Sequence, residues 1–281
     1  MFTEKDVSEY YNTTLNHYEQ WWNLKNDLSL HYGIWEDGIN TFSESLENTN
    51  RVMMELSGIS ASDKVLDAGC GVGGAAMFLA ETKKAEVIGI TLSEKQQNYA
   101  TKVAKEKGLE DKVSFKLMDY ANTSFVDESF DVVWACESMT SAPDKSLFMK
   151  EAYRVLKRGG RLIVSDFFQT KTNQDDPKFW MKKWGATWGI SSFPTCEFFS
   201  EKLSQNGFQN IETFDFTDKI HKSAKRMYYS AMIGMIPSEV YNFFHPNVSR
   251  FAKTHYQCGY FQYKALKKYL WKYKIVLAEK K

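Results

Sequence analysis

Ten residues, VLDAGCGVGG at 65–74, constrain this chain more than any others. A short apolar run (64–68) leads straight into glycines, and a helical pattern over 73–81 follows. A strand, a glycine turn and a helix start in that order are the opening unit of open α/β sheets. The glycines let a ligand approach the backbone there. Four further runs of strand length follow at 86–90, 113–118, 130–135 and 160–166, with helical stretches at 93–107 and about 145–156 between them. That alternation predicts an α/β fold with a doubly wound, mostly parallel sheet. At 281 residues the chain suits one large domain with appendages, or two small ones.

Gly69, Gly71 and Gly74 satisfy G-x-G-x-x-G, the dinucleotide fingerprint, so an NAD-dependent oxidoreductase is one reading. Two features argue against it. Asp67 sits at the strand end just before the glycines, where a carboxylate suits an ammonium or sulfonium group and repels a pyrophosphate. The next strand ends in GITLSEKQ, without the acid that an NAD ribose expects about 20 residues on.

The flanks are helical. A helix is expected over 4–22, with Thr3 and Asp6 as a capping pair and Tyr11, Leu15, Tyr18 and Trp22 on one face. A second is expected over 43–57, striped by Phe42, Leu46, Thr49, Met53 and Leu56, with the loop HYGIWEDG (31–38) between the two. Beyond Phe168, a bulky helix carries Trp180, Trp184 and Trp188, followed by a helix at 196–206 and a strand at 208–216. Residues 219–258 are rich in Met and aromatics and show no strand pattern; a helix at 262–270 and a strand at 271–278 close the chain. The segment between the last two strands is expected to cap the sheet's carboxyl edge, where ligands of open α/β sheets sit.

Lys plus Arg number 36 against 35 Asp plus Glu, so no dominant surface for polyanions is expected and a nucleic-acid substrate is disfavoured. Cys70, Cys136, Cys196 and Cys258 are widely spaced and form no CxxC or His/Cys cluster, which predicts free thiols, no metal site and a reducing compartment. No stretch reaches the ~20 apolar residues of a membrane span. The polar start, MFTEKDVSEYYN, does not read as a signal peptide, so a cytoplasmic protein is expected.

VLDAGCGVGG resembles the first motif of class I S-adenosylmethionine-dependent methyltransferases. The wider pattern resembles the subgroup holding tocopherol, sterol, prenyl-diphosphate and alkaloid N-methyltransferases and cyclopropane fatty acid synthases. GITLSEKQ is similar to that subgroup's second motif, which implies cofactor contacts from Thr91, Leu92 and Gln96. MDY (118–120) ends the third strand where the family places an acid on the adenine amine, implying Asp119 with Tyr120 beside it. Residues 134–167 resemble the fourth motif and fifth strand of tocopherol-type enzymes, and WKYKIVLAEK resembles the antiparallel last strand. The clear likeness covers about 60–170.

The resemblance implies one domain: a helical segment at 1–58, a cofactor-binding core at 59–170, and the rest of a seven-stranded, Rossmann-like sheet at 171–281 with an acceptor-binding cap at about 219–260. It implies S-adenosylmethionine as cofactor, with Asp67, Gly69, Gly71 and Tyr11 also touching it. A small organic acceptor is implied, apolar, prenyl-like, aromatic or an amine, methylated on carbon or nitrogen, by a monomer or homodimer. Glu137, directly after the fourth strand, would orient the nucleophile, take its proton or contact the cofactor. The chain departs from its relatives at Thr140 and Ser141, where several carry Glu-His. That leaves His31 as the histidine candidate for a base, against a purely structural role. Trp180, Trp184 and Trp188 offer either cap packing or an apolar acceptor wall, and Lys219, His221, Lys222, Lys225 and Arg226 either a solvated face or a phosphate site.

Overall fold

The structure is a computed structural model that describes residues 2–21 and 24–281, without the side chains of 16–21. Seven strands form one sheet: β1 (Lys64–Ala68), β2 (Glu86–Thr91), β3 (Val113–Leu117), β4 (Phe130–Cys136), β5 (Leu156–Gln169), β6 (Phe208–Asp215) and β7 (Trp271–Lys280). Their order is β3-β2-β1-β4-β5-β7-β6. The first five are parallel, and β7 runs antiparallel to both β5 and β6. Chain order reverses between β1 and β4, and the crevice above that switch point is where such sheets hold ligands.

Local chemistry accounts for the helix boundaries. Thr3 and Asp6 cap α1 (Glu4–Trp21) as expected, through Thr3 N to Asp6 Oδ2 at 2.8 Å; Tyr18 and Trp22, expected on its apolar face, lie outside the described side chains. A short α2 (Leu24–Asp27) follows. α3 (Phe42–Ser57) starts at a Thr41/Glu44 capping box and ends at Gly58 in the left-handed region. Then come α4 (Gly74–Lys83), α5 (Glu94–Glu106), capped by Ser93, and α6 (Lys145–Val155), capped by Asp144. Two apolar cores result, one on each sheet face: Trp134, Ile163 and Tyr273 point into one, Val133, Leu162 and Val276 into the other.

β5 begins at Leu156 rather than near 160. Gly159, at φ 74°, lets the chain turn inside the strand, and a register shift opposite Phe130 and Val132 absorbs the extra residues. After α7 (Trp180–Trp188) and α8 (Cys196–Gln205), the segment between β6 and β7 folds as α9 (His221–Phe244), α10 (Arg250–Thr254) and α11 (Gln257–Leu266). α11 therefore starts five residues before the expected 262 and stops before 270. Gln262 fixes it from inside: its Nε2 donates to Ala224 O (3.1 Å), and its backbone carbonyl accepts from Trp271 Nε1 (2.9 Å). The segment meets the N-terminal helix through Tyr10 Oη and His255 Nε2, 3.1 Å apart. Among the described residues, no helix is long and apolar enough to cross a membrane.

Candidate cofactor and acceptor site

Asp67 is the last but one residue of β1, with Gly89 and Trp134 as neighbours on β2 and β4. It is 2% exposed, and its Oδ2 has no hydrogen-bond partner. Burial pushes its pKa up to about 7, against the pull of the Ala76 N–H. The glycine turn then folds back on β2, with Gly69 N and Cys70 N both donating to Ile90 O at 3.0 and 2.9 Å. Gly69 has φ 87°, and a Cβ there would lie 2.4 Å from Ser138 Cβ, so only glycine fits. Ser138 Oγ donates to Ala68 O (2.6 Å), and Tyr120 Oη donates to Ser138 O (2.8 Å), tying the ends of β1 and β4 and the turn after β3 together.

The end of β2 is a small polar lock. Thr91 Oγ1 donates to Gln96 Oε1 (2.8 Å) and accepts from Ser93 N (3.1 Å). Ser93 caps α5, and Gln96 is 2% exposed. Ser8 and Asn12 of α1 bond to Leu92 O and Ser93 Oγ, closing α1 over this end of the sheet. Tyr11, Asp67, Gly69, Gly71, Thr91, Leu92, Gln96, Tyr120, Glu137 and His31 all line one cavity above the switch point. Asp119 does not line it: its Oδ1 accepts from Ala121 N in its own turn (2.9 Å), and Glu4 of α1 packs beside it, where the Asp119 charge raises the Glu4 pKa.

Glu137 follows β4 with φ 50°, an unfavourable conformation for a residue with a Cβ, held by its N–H on Ser165 O at 2.7 Å. Its Oε1 accepts from Tyr32 N (2.6 Å) and Tyr273 Oη (2.7 Å), so this carboxyl clamps the HYGIW loop and β7 to the cavity floor. Burial raises its pKa well above the usual carboxylate range. His31 Nδ1 lies 2.9 Å from Tyr32 O. A carbonyl only accepts, so Nδ1 carries the proton in the neutral ring and Nε2 keeps its lone pair. Nε2 is buried without a partner, and burial lowers the His31 pKa.

Of the three tryptophans read as either cap packing or an acceptor wall, only Trp188 lines the cavity. Trp184 is fully buried, stacked on Phe193 (centroids 4.7 Å apart) and edge-on to Phe167, because its position on α7 faces the sheet core. Trp180 packs on that core from its edge and does not line the cavity. Trp188 does line it, and also lines a second, larger cavity between α9, α10, α11 and α1. The basic run 219–226 is mostly exposed; Lys222 lies over Trp35 and Arg226 over Phe42.

Sequence reasoning missed Asp166. This fully buried acid in β5 accepts from Thr140 N (2.9 Å), Thr140 Oγ1 (2.8 Å) and Phe167 N (2.8 Å), and burial raises its pKa to about 6. An acid inside the apolar run IVSDFF was the available signal. Thr140, standing where relatives carry Glu-His, is thus occupied by Asp166. Among the described residues, no group of three His, Cys, Asp or Glu could hold a metal ion. The arrangement fits a ligand with a cationic end: a Cβ-free turn, and a buried carboxylate oxygen awaiting a donor.

The family described as "Methyltransferase domain" matches residues 59–226, more than half of the chain, and the chain belongs to that family. It is 41% identical over 149 residues to the methyltransferase GfsG of Streptomyces halstedii, covering 52% of this chain and 54% of that protein. It is 29% identical over 234 residues to the chloroplastic tocopherol O-methyltransferase of Arabidopsis thaliana, covering 77% of this chain and 66% of that one. The chain therefore spans between half and two thirds of the length of these relatives. Among solved structures, the [4+2]-cyclase SpnF shares the fold with a TM-score of 0.78 at 22% identity, covering 99% of this chain and 96% of that chain.

Proposed function

We propose that this protein transfers a methyl group from S-adenosylmethionine to a small organic acceptor, with carbon or nitrogen favoured as the acceptor atom. The observation that carries this reading is the unpaired Asp67 Oδ2, buried at the strand end of a glycine-walled cavity. Asp67 is the partner for the cofactor's hydroxyl or ammonium groups, and the Gly69–Gly71 turn, Thr91, Leu92, Gln96, Tyr120 and Tyr11 enclose the remainder. When bound, the cofactor supplies an activated methyl on a sulfonium, so the protein's task is alignment and exclusion of water.

Transfer to the acceptor atom would form its bond to the methyl carbon as the sulfur–carbon bond breaks, the electron pair going to sulfur, and the residues lining the cavity would hold the two in line. A carbon or nitrogen acceptor then sheds a proton, and the partner-free His31 Nε2 is the base that takes it. Glu137 acts as a positioning residue, holding the HYGIW loop through Tyr32. Trp188, on the seam of the two cavities, faces the acceptor with an apolar surface. The near-neutral charge speaks against a nucleic-acid acceptor, and the four free cysteines suit a reducing, cytoplasmic setting.

The direct test is incubation with methyl-labelled S-adenosylmethionine and lipid and amine extracts, read by mass spectrometry. Label in a product that is one methylene heavier supports the reading. Cofactor binding without label in any small molecule, under conditions where a control methyltransferase labels the same extract, counts against it.

A further inference from the structure

α9 wears its apolar stripe on the outside. Tyr229, Met232, Ile233, Ile236, Val240, Phe243 and Phe244 recur at three- and four-residue spacing, so they share one face of the helix. That face is turned to solvent: Ile233 is 69% exposed, Ile236 71%, Phe243 79% and Phe244 71%. A contiguous exposed patch of this kind marks an interaction surface. Going back along the helix at the same spacing, the face continues through Lys222, Lys225 and Arg226. Glu239 is the single acid on α9, set to the side of the stripe and bonded to Tyr256 Oη.

We propose that this outer face seats the protein on an anionic lipid bilayer. α9 would lie in the interface plane without crossing it, its aromatic and aliphatic end in the acyl boundary and its basic end among the headgroups. The helix is apolar on its inner face as well, where it packs against the rest of the fold, so its outer face docks as part of the folded surface: the exposed apolar stripe would be buried at the bilayer, and the adjoining Lys and Arg are drawn to anionic headgroups. Charge selects the lipid surface over a second copy of the chain: a parallel copy would bring the same three cations together, and an antiparallel one would set them against the apolar end of its partner, with the single acid of each helix off the stripe. The inner face of the same helix, through Ala231, Gly234 and Tyr241, lines the second cavity, which meets the cofactor cavity at Trp188. Resting on the methyl-transfer reading, this placement deepens it: the second cavity lies directly behind the helix that would face the bilayer.

Vesicle flotation tests the docking without any need for turnover. The purified full chain is mixed with phosphatidylcholine vesicles, or with vesicles containing roughly a third phosphatidylglycerol. The expected result is flotation with the anionic vesicles, weaker at high salt. At least a tenfold loss is expected for Ile236→Glu/Phe243→Glu and a severalfold loss for Lys222→Glu/Lys225→Glu. These side chains are solvent-facing, and unchanged S-adenosylmethionine affinity in each variant would confirm that the fold is intact. Absence of flotation on either vesicle, or flotation indifferent to both double substitutions, overturns the docking. Wild-type sedimentation as a dimer that Ile236→Glu/Phe243→Glu dissolves, with no vesicle binding, assigns the face to a second copy and likewise overturns it. In those cases retained cofactor binding leaves the methyltransferase reading standing.

Discussion

Replacing Asp67 by Asn separates what the cavity does for stability from what it does for a ligand. In the ligand-free protein burial holds this acid at about 7, against an ordinary 3.8. A carboxyl whose folded pKa lies above its unfolded value binds more protons when folded. Its ionised form therefore costs stability above about pH 7, and the cost fades as pH falls toward about 4. About three units at ~1.36 kcal/mol each put that cost near 4 kcal/mol around pH 8. Asn removes it, keeps an oxygen for the Ala76 N–H, and loses ~1–3 kcal/mol by burying an amide without full partners. The net expectation is a variant about 1–3 kcal/mol more stable than wild type near pH 8, with the advantage gone or reversed near pH 5. Urea unfolding of the ligand-free proteins at the two pH values reads this directly. The same variant should lose most of its S-adenosylmethionine affinity. An Asp67→Asn protein less stable than wild type at both pH values would refute the reasoning, because Asp67 would then be a paired structural carboxylate.

Glu137→Ala should destabilise by about 2–5 kcal/mol, since the Tyr32 N–H and Tyr273 O–H are left unpaired; Glu137→Gln keeps an acceptor of the same shape and should retain turnover within about tenfold, so a collapse of turnover in the Gln variant alone would make Glu137 the base. His31→Gln should cut turnover ~100-fold or more at unchanged cofactor affinity. Because burial lowers the His31 pKa, the wild-type turnover number, measured with S-adenosylmethionine kept saturating at every pH, should stay level as pH falls through about 6.5 and decline only below it; a decline in that number beginning above that point would remove His31 from the role. Trp184→Ala should cost about 3–5 kcal/mol in chemical denaturation, as a core cavity does, whereas the half-buried Trp188, changed to Ala, should cost less stability and raise the acceptor KM.

The sheet was legible because each strand is a short apolar run ended by a turn residue, and the order follows once β and α alternate. Most of the cavity lining was legible too, from VLDAGCGVGG, GITLSEKQ and the Glu after WAC. Other features were not. Strand position does not show that Glu137 turns its carboxyl onto Tyr32 and Tyr273; that depends on β7 returning antiparallel from far along the chain. Helical spacing put Trp184 and Trp188 on one stripe, and both pack on Phe167, yet a shift of one turn decides that Trp188 also reaches the cavity. α9 defeated periodicity because both of its faces are apolar, one toward the second cavity and one toward solvent. The buried Asp166 passed unnoticed because its partner Thr140 is remote in sequence and unremarkable in composition.

The measurement that bears most directly on the central claim is calorimetric titration of the purified protein with S-adenosylmethionine and, separately, with NAD, repeated across pH. The account predicts one saturable site for S-adenosylmethionine and none for NAD, with affinity level above about pH 7 and falling about tenfold per unit below it as Asp67 takes up a proton. Saturable NAD binding with no heat from S-adenosylmethionine would contradict it.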